Sequence, residues 1–436
     1  MNYVTIINII FAAISGLFAL YLFHFVFYAV VGVFHKNLFP VQEKKGRYGI
    51  LISCKDEENV IGRLIKSIRE ADYPQEKLTI FVIAHNCSDR TAEVAESLGA
   101  KVIVDNNKEE NTLGQAYHYA FPRIEDRLEY DGFIIFNADN TVRKDYFQKI
   151  NDAFWHYGGN SAITSFRSAL NMNQGALPAT YGLYFGIDMM LAFQGRETFG
   201  VNSRMTGCGI LIPSHQVKDG WDYQCITEDL EYSAAMALKG QQIHFCREAV
   251  FYDEQPTKLR VMWHQRLRWS KGTHVVTRAY FLPLLKALFR KGSPRKASIY
   301  ASLTLHSEII LISLGLMLLQ IGLLFLSPLF GVSLHDAFLY WNPEAGFWGN
   351  LFASYQTGAL FTLAKGAVTF FLTALLVGVA SYIAGYANYK EFKKSVMFRG
   401  LLLLPFFLAL QYPIDVKTLF SKSIPWVKIA HGENKE

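Results

Sequence analysis

Two short clusters in this 436-residue chain combine side chains suited to group transfer. Thr227, Glu228 and Asp229 put two carboxylates at the start of an amphipathic pattern, and Gln265, Arg268 and Trp269 follow inside HQRLRWSKG, His264–Gly272. A carboxylate at a helix start either caps the helix and offsets its dipole or, beside a cation-rich diphosphate site, accepts the proton of an attacking hydroxyl. An indole set among cations also has two readings. It is a basic collar at a membrane surface, or a clamp whose aromatic face carries a sugar ring while its cations hold a diphosphate.

Three more polar clusters end apolar runs: CKDEEN (Cys54–Asn59), AHNCSD (Ala84–Asp89) and NADN (Asn137–Asn140). One acid on such a turn serves equally well as a helix cap. Three clusters at the mouth of one sheet point to a nucleotide, because ligands of open α/β sheets bind beyond the carboxyl ends of the strands. Lys55, Glu57, His85 and Asp89 are the candidate nucleotide contacts. A metal-bound diphosphate needs hard oxygen ligands for Mg²⁺ or Mn²⁺. Asp139 is the leading metal ligand, and Asn137 offers a weaker, neutral oxygen. Neither G-x-G-x-x-G nor G-x-x-x-x-G-K-[ST] occurs, which argues against a dinucleotide cofactor or a P-loop.

The elements that must position these residues are legible around them. YGILISC (Tyr48–Cys54), KLTIFVIA (Lys77–Ala84), AKVIV and FIIF (Phe133–Phe136) read as strands. Helical patterns cover Glu58–Glu70 and Asp89–Leu98, with Asp89 placed to cap the second. Apolar strands alternating with helices predict an α/β fold whose parallel sheet is covered on both faces.

Hydrophobic residues make up 51% of the chain and charged residues 18%, less charge than the roughly 25% usual for a soluble domain. The apolar excess lies at the two ends. It predicts an N-terminal membrane helix (1–36), a cytoplasmic catalytic-sized domain (45–274), an interfacial amphipathic helix (275–298), a membrane region (299–415) and a basic cytoplasmic tail (416–436). Ile6–Phe34 is long enough to span a bilayer. Gly400–Leu410 is short and carries Pro405, so it is expected to be re-entrant or interfacial. Leu177–Gly195 reads either as a surface helix or as a buried one. The net charge of +6 clusters beside the apolar segments, which suits anionic lipid rather than nucleic acid. Five cysteines without a C-x-x-C pair read as reduced structural thiols rather than a zinc site.

Together these residues resemble the family 2 glycosyltransferases, in particular their membrane-embedded cellulose, hyaluronan, poly-N-acetylglucosamine and mixed-linkage β-glucan synthases. The resemblance rests on Thr227-Glu228-Asp229 followed 36 positions later by Q-x-x-R-W (Gln265, Arg268, Trp269), and on IAHNCSDRTAEVAESLGAKV. It implies a GT-A catalytic domain in which Asp229 is the base and Asp139, with Asn137, holds the metal. Lys55, Glu57, His85, Asp89, Gln265 and Arg268 would face UDP. Trp269, Thr227, Glu228, Gly207 and Cys208 would face the acceptor, the last two within MTGCGILIP (Met205–Pro213). The chain departs from the family with His85 in place of an Asp, Asn137 in place of the first Asp of D-x-D, and CKDEE in place of an Arg-Asn-Glu stretch.

The resemblance thus implies a processive, inverting β-glycosyltransferase of the plasma membrane. It would polymerise a sugar from a UDP-sugar, with UDP-glucose and a β-glucan favoured, and pass the growing polysaccharide between membrane helices near His306 and Glu308. Trp426 and His431 would sit on a tail folding back toward the site, and an accessory export subunit would be compatible. The alternatives are a non-processive enzyme moving one sugar to a lipid or small acceptor, and a non-catalytic nucleotide-sensing or polymer-export protein.

Overall fold

The computed structural model describes residues 2–107, 112–292, 307–352, 358–386, 392–422 and 424. A long helix, α1 (Tyr3–Phe34), leads into the α/β domain. There β1 (Tyr48–Cys54), α2 (Ile61–Arg69), β2 (Leu78–His85), α3 (Thr91–Ser97), β3 (Lys101–Asp105), α4 (Leu113–Ala120) and β4 (Gly132–Asn137) follow in turn. Next come β5 (Thr141–Val142), α5 (Tyr146–His156), β6 (Ala162–Ala169), α6 (Ala176–Gly186), a π-helical stretch (Ile187–Phe193) and α7 (Gln194–Thr198). The domain closes with β7 (Ile210–Pro213), α8 (Glu228–Leu238), β8 (Ile243–Asp253) and the start of α9 (Leu259–Ala287).

The eight strands form one sheet in the order β3-β2-β1-β4-β7-β6-β8-β5. The expected parallel sheet holds for β1, β2, β3 and β4 and for β6 with β8. It fails at β7, which runs antiparallel to both neighbours, and at β5. The chain has already reached the carboxyl edge of the sheet at Gly207–Gly209 when β7 begins opposite Ile135 and Thr164, so β7 must run back. No crossover is needed for an antiparallel return.

All seven residues of β1 are buried, which explains its unbroken apolar run: helices cover both faces. Ile50 and Ile52 face Leu64, Ile65, Phe147 and Ile150. Leu51 faces the other way, toward Tyr117, Phe121, Phe133 and Trp221. The register brings Cys54 beside Ala84, Ser53 beside Asn137 and His85 beside Asp105. The polar clusters that end β1, β2 and β4 therefore lie along one edge.

The segment Leu177–Gly195 proves to be buried rather than a surface helix. Tyr181, Leu183 and Phe193 have no solvent exposure. Two glycines let α1 cross it closely. A Cβ on Gly32 would lie 2.1 Å from the Leu191 carbonyl oxygen, and one on Gly195 would lie 2.0 Å from that of Tyr28.

The helix of the Q-x-x-R-W box continues without a break across the boundary expected at 274/275, with Pro283 inside it. The box and much of the amphipathic stretch after it belong to one continuous helix. Beyond it lie α10 (Ser307–Leu324), α11 (Leu334–Leu339), α12 (Gly346–Phe352), α13 (Ala359–Gly385), α14 (Lys394–Ala409) and α15 (Gln411–Phe420). Pro405 sits within α14, and α14 and α15, parted only at Leu410, together form a 27-residue stretch, Lys394–Phe420. That stretch and α13 are each long and apolar enough to cross a membrane. Large apolar side chains on α1 and α13 stay exposed, such as Leu20 at 72% and Leu376 at 70%, which is the mark of a surface made for an apolar environment. His306, Trp426 and His431 lie outside the described residues, as does the side chain of Glu308.

Candidate active site

A cavity of about 790 Å³ opens at the carboxyl edge of the sheet. The strand ends supply Lys55, Glu57, His85, Asn137 and Asp139 to its wall. The start of α8 supplies Thr227, Glu228 and Asp229, the loop before β7 supplies Gly207, and α9 supplies Gln265, Arg268 and Trp269. Asp89 and Cys208 are not among the lining residues. Asp89 does what a helix-start acid does: it accepts the Thr91 N–H at 3.0 Å and also the Glu58 N–H at 3.1 Å, tying two loops together. With Asp56 and Cys87 it forms a small cluster whose ligand atoms lie within 4.8 Å of one another, yet these groups already accept backbone N–H bonds. Cys208 is buried in the core.

The acidic end is built around Asp139. The Asn140 amide donates to Asp139 Oδ1 at 3.0 Å and to Asp253 Oδ1 at 2.6 Å, while its own Oδ1 accepts the Asn137 N–H at 3.0 Å. Arg167 Nε donates to Asp253 Oδ2 at 2.8 Å, and both side chains are buried. Burial, and then the charges of Asp253 and Glu57, push the Asp139 carboxyl well above the usual carboxylate range, with Arg167 opposing. Buried negative charge offered by oxygen donors fits a hard divalent cation, which would relieve that cost. His85 meets a carboxylate too, its Nδ1 lying 2.8 Å from Asp105 Oδ2.

The other end is built around Asp229 in the first turn of α8. Its Oδ1 accepts the Leu230 N–H at 2.9 Å. Burial raises its pKa, opposed by that N–H and by the positive charge of Arg204. Glu228 beside it is pushed further, up to about 8, by burial and then by the Asp229 charge, against the pull of Arg268. Both acids are therefore shifted upward by burial, and Glu228, at about 8, keeps its proton near neutral pH. Gly207 has φ +84°, and a Cβ there would stand 3.7 Å from Asp229 Oδ2. The carboxylate therefore faces a backbone free of side-chain bulk.

One close contact joins the two boxes. A Cβ on Gly272 would lie 2.2 Å from Thr227 Cγ2, so only glycine lets α9 lie this near the start of α8. Gln265 Oε1 accepts the Tyr181 hydroxyl at 2.7 Å. Tyr181 also meets the Trp269 ring edge-on at 6.3 Å between centroids, and Trp269 remains half-buried at the cavity wall.

Arg167, Asp253, Asp188 and Arg204, which line the cavity, were not singled out as site residues from the sequence. Asp253 carried a usable signal, since it ends the apolar strand β8 just as Asp139 follows β4. Arg167 carried none, being a lone cation inside a strand.

The family model described as Glycosyltransferase like family 2 matches residues 46–272, just over half of the 436 residues. The chain is a family 2 glycosyltransferase. This glycosyltransferase is 22% identical over 231 residues to the beta-monoglucosyldiacylglycerol synthase of Synechocystis sp., a match covering 51% of this chain and 47% of that one. It is 25% identical over 263 residues to the poly-beta-1,6-N-acetyl-D-glucosamine synthase of Staphylococcus epidermidis, covering 58% of this chain and 61% of that one. The match thus spans less than two thirds of either relative. Among solved structures it resembles the mannosyltransferase PcManGT from Pyrobaculum calidifontis in complex with GDP-Man and Mn²⁺, with a TM-score of 0.53 and 13% identity, over 89% of this chain and 100% of that one. The architecture is accordingly GT-A, a mixed sheet with mostly parallel strands joined to long apolar helices.

Proposed function

We propose that this glycosyltransferase is an inverting, processive enzyme that extends a glycan at a membrane from a UDP-sugar, with glucose favoured. The observation that carries this reading is the continuity of one cavity. It runs from Asp139 and His85 at the strand ends, past Asp229 and Trp269, to Phe370, Leu408 and Tyr412 on the apolar helices. Its size falls within the range of roughly 300–1,000 Å³ usual for ligand sites.

In this reading Asp229 takes the proton of the terminal acceptor hydroxyl. The freed oxygen attacks the anomeric carbon, the bond to the diphosphate breaks, and a single displacement inverts the configuration. Arg268 holds the departing diphosphate, Gln265 faces the donor, and Trp269 carries the acceptor ring on its face. Asp139 and Asn137 would hold Mg²⁺ or Mn²⁺, which neutralises diphosphate charge when bound. The helices α1, α13, α14 and α15 would anchor the enzyme in the plasma membrane with the GT-A domain on the cytoplasmic side, consistent with Lys36, Lys44, Lys45 and Arg47 after α1.

The apolar end of the cavity favours a second reading, transfer of one sugar to a lipid acceptor. Purified enzyme in nanodiscs, given Mg²⁺ or Mn²⁺ and a panel of radiolabelled nucleotide sugars, separates the two. High-molecular-weight product from one donor, lost in Asp229→Asn, supports polymerisation. Label only in the lipid extract supports the second reading. Nucleotide binding without transfer refutes both.

A further inference from the structure

Arg268 and Trp269 are flanked on α9 by three residues that all bond to the C-terminal helices. Arg266 donates to the Phe407 carbonyl at 2.5 Å and to Gln411 Oε1 at 2.7 Å. The Ser270 hydroxyl donates to Asp415 Oδ1 at 2.6 Å and lies 2.6 Å from the Thr418 hydroxyl. Lys271 Nζ donates to the Ser421 carbonyl at 2.5 Å. Gln411 Nε2 donates to the same Asp415 oxygen at 2.6 Å. Asp415 is thus the point where the turn bearing Arg268 and Trp269 meets α15. The family match ends at residue 272, so α14 and α15 lie beyond it.

The seam is an expensive one. Asp415, Arg266, Ser270 and Thr418 are all buried. Asp415 Oδ2 has no hydrogen-bond partner among the described residues. A buried carboxylate left half-satisfied on an apolar helix is a poor way to stabilise a fold, since apolar packing of the same volume does as well or better. Ionisable groups at such positions are retained for what they do. Ser270, Gln411 and Asp415 also line the same cavity as Arg268 and Trp269.

We propose that Asp415 is a positioning residue. Through Ser270 and Gln411 it fixes the turn of α9 that presents Arg268 and Trp269 to the cavity, so the C-terminal helix pair completes the transfer site. This rests on the roles given to Arg268 and Trp269 above.

The test uses the full chain in nanodiscs, labelled with 5-fluorotryptophan. The chain has seven tryptophans, and Trp269→Phe assigns the resonance of interest. Asp415→Ala and Ser270→Ala are expected to shift or broaden the Trp269 signal while those of Trp155 and Trp221, in the α/β domain, stay in place. Asp415→Asn keeps an oxygen acceptor for Ser270 and should retain the wild-type spectrum. With the donor that supports turnover, Asp415→Ala should raise a KM or lower kcat by about tenfold or more, the scale expected of a catalytic group displaced by less than 1 Å, and Asp415→Asn should restore it. Should Asp415→Ala fail to fold, Ser270→Ala breaks the same bond more gently. An unmoved Trp269 resonance overturns the proposal. So does an activity loss that follows the melting temperature with both KM values unchanged. Absence of transfer by the wild type would sink the functional reading, and the fluorine spectrum would still decide this one.

Discussion

Replacing Gly272 by alanine tests the contact on which the site depends. The added Cβ would lie 2.2 Å from Thr227 Cγ2 and 2.4 Å from its hydroxyl oxygen. Carbon atoms in contact prefer about 3.5–4.0 Å, so the overlap exceeds about 1 Å. Thr227 is β-branched and cannot swing clear cheaply. The strain must instead push α9 away from the start of α8, carrying Arg268 and Trp269 with it. Overpacking of this kind costs about 1–3 kcal/mol, and a displacement near 1 Å costs about 10²-fold in rate. The assay pairs a urea unfolding midpoint with kcat/KM from nucleoside diphosphate release. Gly272→Ala should lose about 10²-fold in kcat/KM while staying folded. Thr227→Ala removes the two nearest of the three colliding atoms and leaves only its Cβ, at 2.8 Å, so adding it to Gly272→Ala should return part of the rate. Full activity in Gly272→Ala, or strictly additive losses in the double variant, would show that the two boxes do not depend on this close approach.

Three further outcomes are expected. Glu228 has its folded pKa raised from the ordinary 4.5 to about 8, so its neutral form is favoured by folding. That contribution is complete below pH 4.5 and is lost as pH rises toward about 8; in urea titrations across this window Glu228→Gln should flatten the decline, and an unchanged slope would contradict the assignment. Arg167→Met leaves Asp253 buried without its cation and should cost about 3–5 kcal/mol, less when Asp253→Asn is added; calorimetry showing equal losses would count against the pair. Asp139→Ala should weaken Mn²⁺ binding by about tenfold or more, and undiminished binding by calorimetry would place the metal elsewhere.

Local order was largely legible from residue types. The short unbroken apolar runs of β1, β2 and β4, alternating with helical patterns, read as strands covered on both faces, and the polar clusters after them meet at one edge because those strands are parallel neighbours. Asp139, Asp229, Gln265, Arg268 and Trp269 were singled out because the residue types of each cluster stand close together in the chain, and the fold brings all five to one cavity wall. Asp89 stands two positions before α3 and accepts the N–H of its first residue, Thr91, a local bond that its place after an apolar strand allowed for.

What the tertiary structure alone decided is every pairing across long stretches of chain. Arg167 meets Asp253 across 86 positions and Ser270 meets Asp415 across 145. Periodicity says which face of an element is buried but not what stands opposite it. The same limit hid the reversal of β7, which follows from where the preceding loop ends. It left Leu177–Gly195 open between membrane surface and core, because an apolar helix suits both until α1 packs on it. The sequence by itself determined which groups are candidates for the chemistry; the packing of α8, α9 and α15 decided how they face one another, because distances between distant segments are set by contacts that no local pattern encodes.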